Sequence, residues 1–187
     1  MKDSQMLGIT GSPGTGKKSI APIVAERLGT RCLSLNELAM SYGLVSKSGN
    51  VDTQKLRARL THNLTKGAVV YGHLLPYAVP PNAVSNVVVL RCEPGVLKER
   101  LRLRGYGPQK IVENVEAELI GVVSADAFDT FGGARTWEVE TTSQSPADVA
   151  SAVVEIAVSK PRRVPRIDWT LDYDSGAKLR LLLSTAE

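Results

Sequence analysis

Gly11-Ser-Pro-Gly-Thr-Gly-Lys-Lys-Ser19 is the stretch on which the reading of this chain turns. It matches the phosphate-binding loop G-x-x-x-x-G-K-[ST] everywhere except at its last position, where Lys18 stands. The apolar run Leu7 to Thr10 reads as a strand entering the loop, and Ser19 to Leu28 as an amphipathic helix leaving it, the context in which the motif carries a mechanism. Its glycines let successive amides converge on phosphate oxygens at a helix N-terminus. Ser12, Pro13, Gly14, Thr15, Gly16, Lys17, Lys18 and Ser19 are therefore the nucleotide-binding candidates, with Lys17 as the cation between the two terminal phosphates. The alternative, a glycine-rich turn that binds nothing, does not account for strand, loop, lysine and helix together. In the standard loop the residue after the lysine is Ser or Thr, whose hydroxyl holds Mg²⁺. Lys18 offers an ammonium and no lone pair. Ser19 has the hydroxyl one residue late, about 100° further round the helix.

The 187 residues suit one domain with an ample core and a tail. With 43% hydrophobic and 22% charged residues the composition is that of a soluble globular protein, and no apolar run approaches the ~20 residues that span a bilayer. Met1 to Met6 leads straight into the first strand, so no secretory signal is expected and the cytoplasm is the natural location. Cys32 and Cys92 lack metal-ligand spacing and read as buried thiols; His62 and His73 are too few for a metal cluster. The formal charge of +4 suits a protein that handles nucleotides or works near RNA, and equally an ordinary solvated surface.

Strand and helix signals alternate, the pattern of a parallel sheet covered on both faces. The expected elements are a strand at Arg31 to Ser34, a helix from Asn36 as N-cap to Tyr42, a loop over Val45 to Asn50, and a helix capped by Asp52 and running to about Thr65. Strands at Ala68 to Tyr71 and Val87 to Leu90 follow, then a helix from Pro94 to Arg104 and one long amphipathic helix over Pro108 to Ala127. A last strand spans Trp137 to Glu140 and a closing helix Pro146 to Val158. The fold class is thus α/β: a P-loop NTPase with a parallel five-stranded sheet and helices on both faces. Residues 1–159 form the domain, and residues 160–187 a basic, proline-punctuated linker and tail. Trp169 and Leu171 in that tail are expected to pack back on the domain.

A P-loop phosphotransferase usually ends a neighbouring strand in an acid that holds Mg²⁺ or its water shell. Here the candidate segment Val69-Val-Tyr-Gly-His-Leu-Leu-Pro76 has Tyr71 at that place and no carboxylate. The loop, Gly72-His-Leu-Leu-Pro76, Val89-Leu-Arg-Cys-Glu-Pro94, the segment from Arg104 to Glu118 and Ile167-Asp-Trp169 together resemble the adenylate-kinase-like NTPases of archaea and eukaryotes that act in small ribosomal subunit maturation. Eukaryotic members are described as nuclear adenylate kinase isoenzymes or coilin-interacting nuclear ATPases. The resemblance covers nearly the whole chain to Val158. It implies a nucleoside monophosphate kinase fold with ATP on the loop, a monophosphate-binding region at about 35–52 and a short lid at about 104–113. It implies as catalytic residues Lys17, the lid arginine Arg104, whose delocalised charge suits a transferring phosphoryl group, and His73, which suits orientation of the acceptor or a water. A histidine packed at a strand end is the plainer alternative for His73. Arg100 and Arg102 read as an exposed helix face.

ATP is the expected substrate and Mg²⁺ the expected cofactor, but its usual ligand positions are Lys18 and Tyr71, so no metal ligand is assigned. The monophosphate region also lacks the acidic, tyrosine-containing stretch usual in the family. The leading expectation is an ATP-binding kinase that makes two ADP from ATP and AMP, with ATPase activity and a link to ribosome biogenesis and rRNA processing. The alternative is a catalytically weakened nucleotide-binding assembly factor that works through a ribosomal protein of the small-subunit platform, with indirect RNA proximity. Other small-molecule acceptors, as in shikimate or gluconate kinases, rank below both, and no membrane partner is expected.

Overall fold

A computed structural model of the chain describes residues 5–63, 67–159, 161 and 166–184. The expected helix end at Leu64 and Thr65, Lys160 and residues 162–165 of the basic linker, and the His62 side chain lie outside what is described.

The first strand, β1 (Met6–Thr10), is buried along its whole length. Such a run has no polar alternation because a central parallel strand is covered on both faces. It pairs in parallel with β3 (Val69–Tyr71) on one side and β4 (Val84–Arg91) on the other. β2 (Cys32–Ser34) adds to β3 and β5 (Thr136–Glu140) to β4, giving the all-parallel order β2-β3-β1-β4-β5. α1 (Lys17–Arg27) and α8 (Pro146–Ser159) cover one face, burying Ile20, Val24, Val149 and Val153 against Leu7, Ile9, Val88 and Leu90. The other face receives α2 (Leu35–Ser41), α3 (Thr53–Asn63), α4 (Leu75–Ala78) and α7 (Val122–Phe131), with Leu56, Leu75 and Phe131 packed on Met6, Val70 and Val87. This is the α/β P-loop fold that the alternation of elements predicts.

A third cluster lies beside the sheet, where α5 (Pro94–Leu103) and α6 (Pro108–Leu119) meet α9 (Gly176–Leu183). Trp169 opens a 3₁₀ turn, is 8% exposed and packs with Leu97, Leu101, Val115 and Leu182. Leu171 stays 74% exposed, so only one of the two expected tail anchors docks. Among the described residues no helix is long and apolar enough to cross a membrane.

Two further expectations change. The long helix over Pro108 to Ala127 is two, because Gly121 at φ 69° breaks it into α6 and α7. α2 is capped by Ser34 rather than Asn36: Ser34 is extended, and its hydroxyl oxygen accepts from the Glu37 amide at 3.3 Å. The helix therefore starts directly at the end of β2, and Glu37 falls in its first turn. The Val45 to Asn50 loop is closed by an antiparallel bridge between Val45 and Val51.

Candidate functional site

The carboxyl ends of β1, β2 and β3 converge, as they do at ligand crevices of open α/β sheets. Register places Ile9 and Ser34 both opposite Tyr71. The loop after β1 needs glycine at 11: φ is 138°, and a Cβ there would stand 2.4 Å from the Leu90 carbonyl oxygen of β4. The loop is braced inside by the Thr15 hydroxyl, which donates to the Ser12 carbonyl at 2.9 Å. Lys17 Nζ donates to the carbonyls of Gly11 (2.6 Å) and Ser12 (2.9 Å). Burial pushes the Lys17 ammonium down to about 7; Glu118 opposes the shift and Arg104 adds to it. The leading amides of α1 have no intrahelical acceptor.

Two clefts share this loop as a wall. One, of about 300 Å³, is lined by Pro13, Gly14 and Gly16 with Lys17, Lys18 and Ser19; by Ser34, Asn36 and Glu37; by Tyr71, Gly72 and His73; and by Arg104 and Tyr106. The other, of about 220 Å³, is lined by Gly14, Thr15, Gly16, Ser19 and Ile20, by Arg100 and Arg104, and by Thr141, Gln144, Pro146 and Val149. Arg104 belongs to both, at the C-terminal cap of α5, where the chain turns through Gly105 to Gly107 into α6. His73 is half-buried, and burial, then Lys17 and Lys110, hold its imidazole below the usual histidine range, so it is neutral at pH 7.

Ser12 is the one candidate drawn away from the clefts. It is buried, and its hydroxyl donates to Glu118 Oε2 at 2.5 Å. Glu118, 1% exposed, lies in α6, and its other oxygen accepts from Arg91 Nε (2.8 Å) and the Cys92 amide (3.0 Å). Arg91, 2% exposed at the end of β4, also donates to Glu138 of β5 at 2.6 Å and to the Ile167 carbonyl at 3.1 Å. Glu138 accepts in turn from the Ile167 amide at 2.6 Å and from the Ser124 hydroxyl. One arginine thus neutralises two carboxylates from separate elements, and each carboxylate accepts two further hydrogen bonds.

Sequence reasoning missed Glu37, Arg100 and this buried cluster. Glu37 was obscured by the wrong cap: Ser34-x-x-Glu37 has the capping-box spacing, which places an acid in the first turn. Arg100 is not merely an exposed face, because its guanidinium donates to the carbonyls of Thr141 (2.8 Å) and Thr142 (2.9 Å) at the edge of the second cleft. Its spacing of four from Arg104 puts both on one helix face and was the available signal. Arg102 is as expected, on the surface beside Glu99.

The donors of the first cleft do not fit a divalent cation. The two positions that supply ligands in P-loop phosphotransferases carry an ammonium and a phenol. Glu37 is the one carboxylate in the lining, against Lys17, Lys18 and Arg104. Among the described residues no group of three or more His, Cys, Asp or Glu could hold a metal.

A family model described as an AAA domain matches residues 7–121. A "Putative adenylate kinase" of Thermococcus onnurineus is 33% identical over 181 residues, covering 95% of this chain and 98% of that protein. One from Methanothermobacter thermautotrophicus is 38% identical over 175 residues, covering 89% and 99%. Among solved structures, the shikimate kinase of Acinetobacter baumannii in complex with shikimate has a TM-score of 0.61 at 19% identity, covering 86% of this chain and 96% of that one. A gluconokinase from Sinorhizobium meliloti 1021 has a TM-score of 0.54 at 20% identity, covering 86% and 97%. At such identities these two structures speak for the fold alone.

Proposed function

The chain belongs to the AAA-domain family and to the family of the archaeal proteins named "Putative adenylate kinase", and from that premise we propose that it is an ATP-dependent nucleoside monophosphate kinase that makes two ADP from ATP and AMP, with a side ATPase activity. P-loop kinase fold and family are its foundation. The observation that carries the proposal is the pair of clefts sharing the phosphate loop as their common wall. A triphosphate along the loop turns its base into the cleft of Ile20, Arg100, Gln144, Pro146 and Val149, which offers apolar faces, a cation and polar edges. Its terminal phosphate then lies toward Arg104 and His73, and the acceptor enters from the side of β2 and β3.

Transfer is an in-line displacement. An acceptor phosphate oxygen bonds to the γ-phosphorus as the bond to the β–γ bridging oxygen breaks, and ADP leaves with that electron pair. Loop amides and Lys17 hold the phosphates, while Arg104 spreads its charge over the three equatorial oxygens. Neutral His73 orients the acceptor, or a water when the acceptor is absent, which is the route to ATP hydrolysis. The corner at about 104–113 acts as a lid that excludes water.

The second reading is an assembly factor with weakened turnover that binds a ribosomal protein of the small-subunit platform; the replacements at Lys18 and Tyr71 favour it. A role in small-subunit maturation, under either reading, rests on the resemblance of the motifs. Following ADP formation from ATP and AMP tests the first reading: turnover that disappears in Lys17→Ala is expected, and turnover no greater than that of Lys17→Ala leaves the second in its place.

A further inference from the structure

The charges lining the first cleft suit a polyanion better than a polyanion with its metal. Lys17, Lys18 and Arg104 face one space, and Lys18 occupies the position from which a hydroxyl normally reaches the cation. Lys18 is exposed on α1 and forms no ion pair among the described residues, so its ammonium is free to meet a phosphate. Tyr71, at the end of β3, stands where the strand acid usually does and brings a phenol in place of a carboxylate. The two changes are on different elements and act in the same direction: one adds a positive charge where the metal would stand, and the other removes the negative charge that would hold it. Glu37 alone leaves a divalent cation one protein carboxylate among three cations. Ser19, the remaining hydroxyl of the first helical turn, lies about 100° round the helix from the usual ligand position.

We propose that this chain binds its nucleoside triphosphate as the metal-free anion, with the Lys18 ammonium taking the electrostatic place of Mg²⁺. The inference rests on the nucleotide-binding reading above and specifies the ionic form of the ligand. Magnesium then competes with the protein for ATP, because it converts the free anion into the complex that the cleft rejects.

Calorimetric titration of ATP into the full chain, in EDTA and in excess MgCl₂, tests this without reference to turnover. The wild-type protein is expected to bind at least about tenfold more tightly in EDTA, since apparent affinity falls with the fraction of ligand in the competent form. Lys18→Thr, which restores the standard loop residue at an exposed position, should lose affinity in EDTA and gain it in magnesium. Lys18→Arg should retain the wild-type preference. Tighter binding of the wild type in magnesium overturns the proposal, as does a Lys18→Thr variant with unchanged affinity in EDTA. Absence of binding in both buffers overturns the nucleotide-binding reading itself, a result distinct from binding that requires magnesium.

Discussion

Two groups of charges, joined by one serine, behave in opposite ways in this molecule. In the phosphate cleft, Lys17, Lys18 and Arg104 face Glu37 across an open space. Beneath it, Arg91 lies between Glu118 and Glu138 with almost no exposure and with donors or acceptors on nearly every polar atom. Ser12 belongs to both: its hydroxyl donates to Glu118, and its carbonyl accepts from Lys17. The difference teaches where each charge finds its counter-charge. The buried cluster is compensated within the fold and serves to hold the loop, α6, β4, β5 and Ile167 in one arrangement. The cleft keeps an excess of positive charge, and a polyanionic ligand is what completes it.

The largest effect should come from breaking the compensated region. Arg91→Leu leaves two buried carboxylates without their cation, and a loss of about 3–5 kcal/mol in urea unfolding is expected. Lys18→Thr, in the open region, should change that stability by no more than about 0.5 kcal/mol. Equal losses in the two variants would erase the distinction between the regions.

The second effect is on protons. Lys17 titrates at about 7 in the folded protein against 10.5 for an ordinary lysine. Between those values the unfolded chain holds more protons, so this group makes stability rise with pH across the window. A bound polyanion pulls Lys17 back to its charged form, and binding at pH 8 should take up to about one proton from solution. Calorimetry in buffers of different ionisation enthalpy measures this, and Lys17→Arg, charged at every pH, should take up much less. Uptake unchanged in Lys17→Arg would assign the proton to another group.

A loss smaller than that of Arg91→Leu should come from the joint. Ser12→Ala removes one hydrogen bond to a buried carboxylate and should cost about 1–3 kcal/mol of stability. It should also weaken ATP binding, because the loop loses its brace to Glu118. Lost stability with unaltered affinity would show that the two regions are independent.

The parallel sheet was legible because β1 and the Val87 to Leu90 stretch of β4 are apolar runs and the elements between them have helical period. The loop was legible because its chemistry lies within nine consecutive residues. Gly121 escaped notice because the apolar positions Val115 and Leu119 before it are followed by Val122 beyond it, so periodicity alone does not register a left-handed residue. Glu37 was hidden by a shift of two residues in the cap, and Arg100 by its resemblance to an ordinary surface arginine. The buried cluster had no local signature: Arg91 stands 27 positions from Glu118 and 47 from Glu138.

By itself, the sequence determined the five strands and their order along the chain, the nucleotide loop, and the replacement of both usual metal-ligand positions. Each is written in neighbouring residues or in a short period, where backbone geometry and side-chain type act locally. Tertiary structure alone decided which distant charges are paired, which carboxylate enters the cleft, and that Arg104 borders both spaces. Those outcomes depend on contacts between elements far apart in the chain, and only packing of the sheet and its helices brings them together.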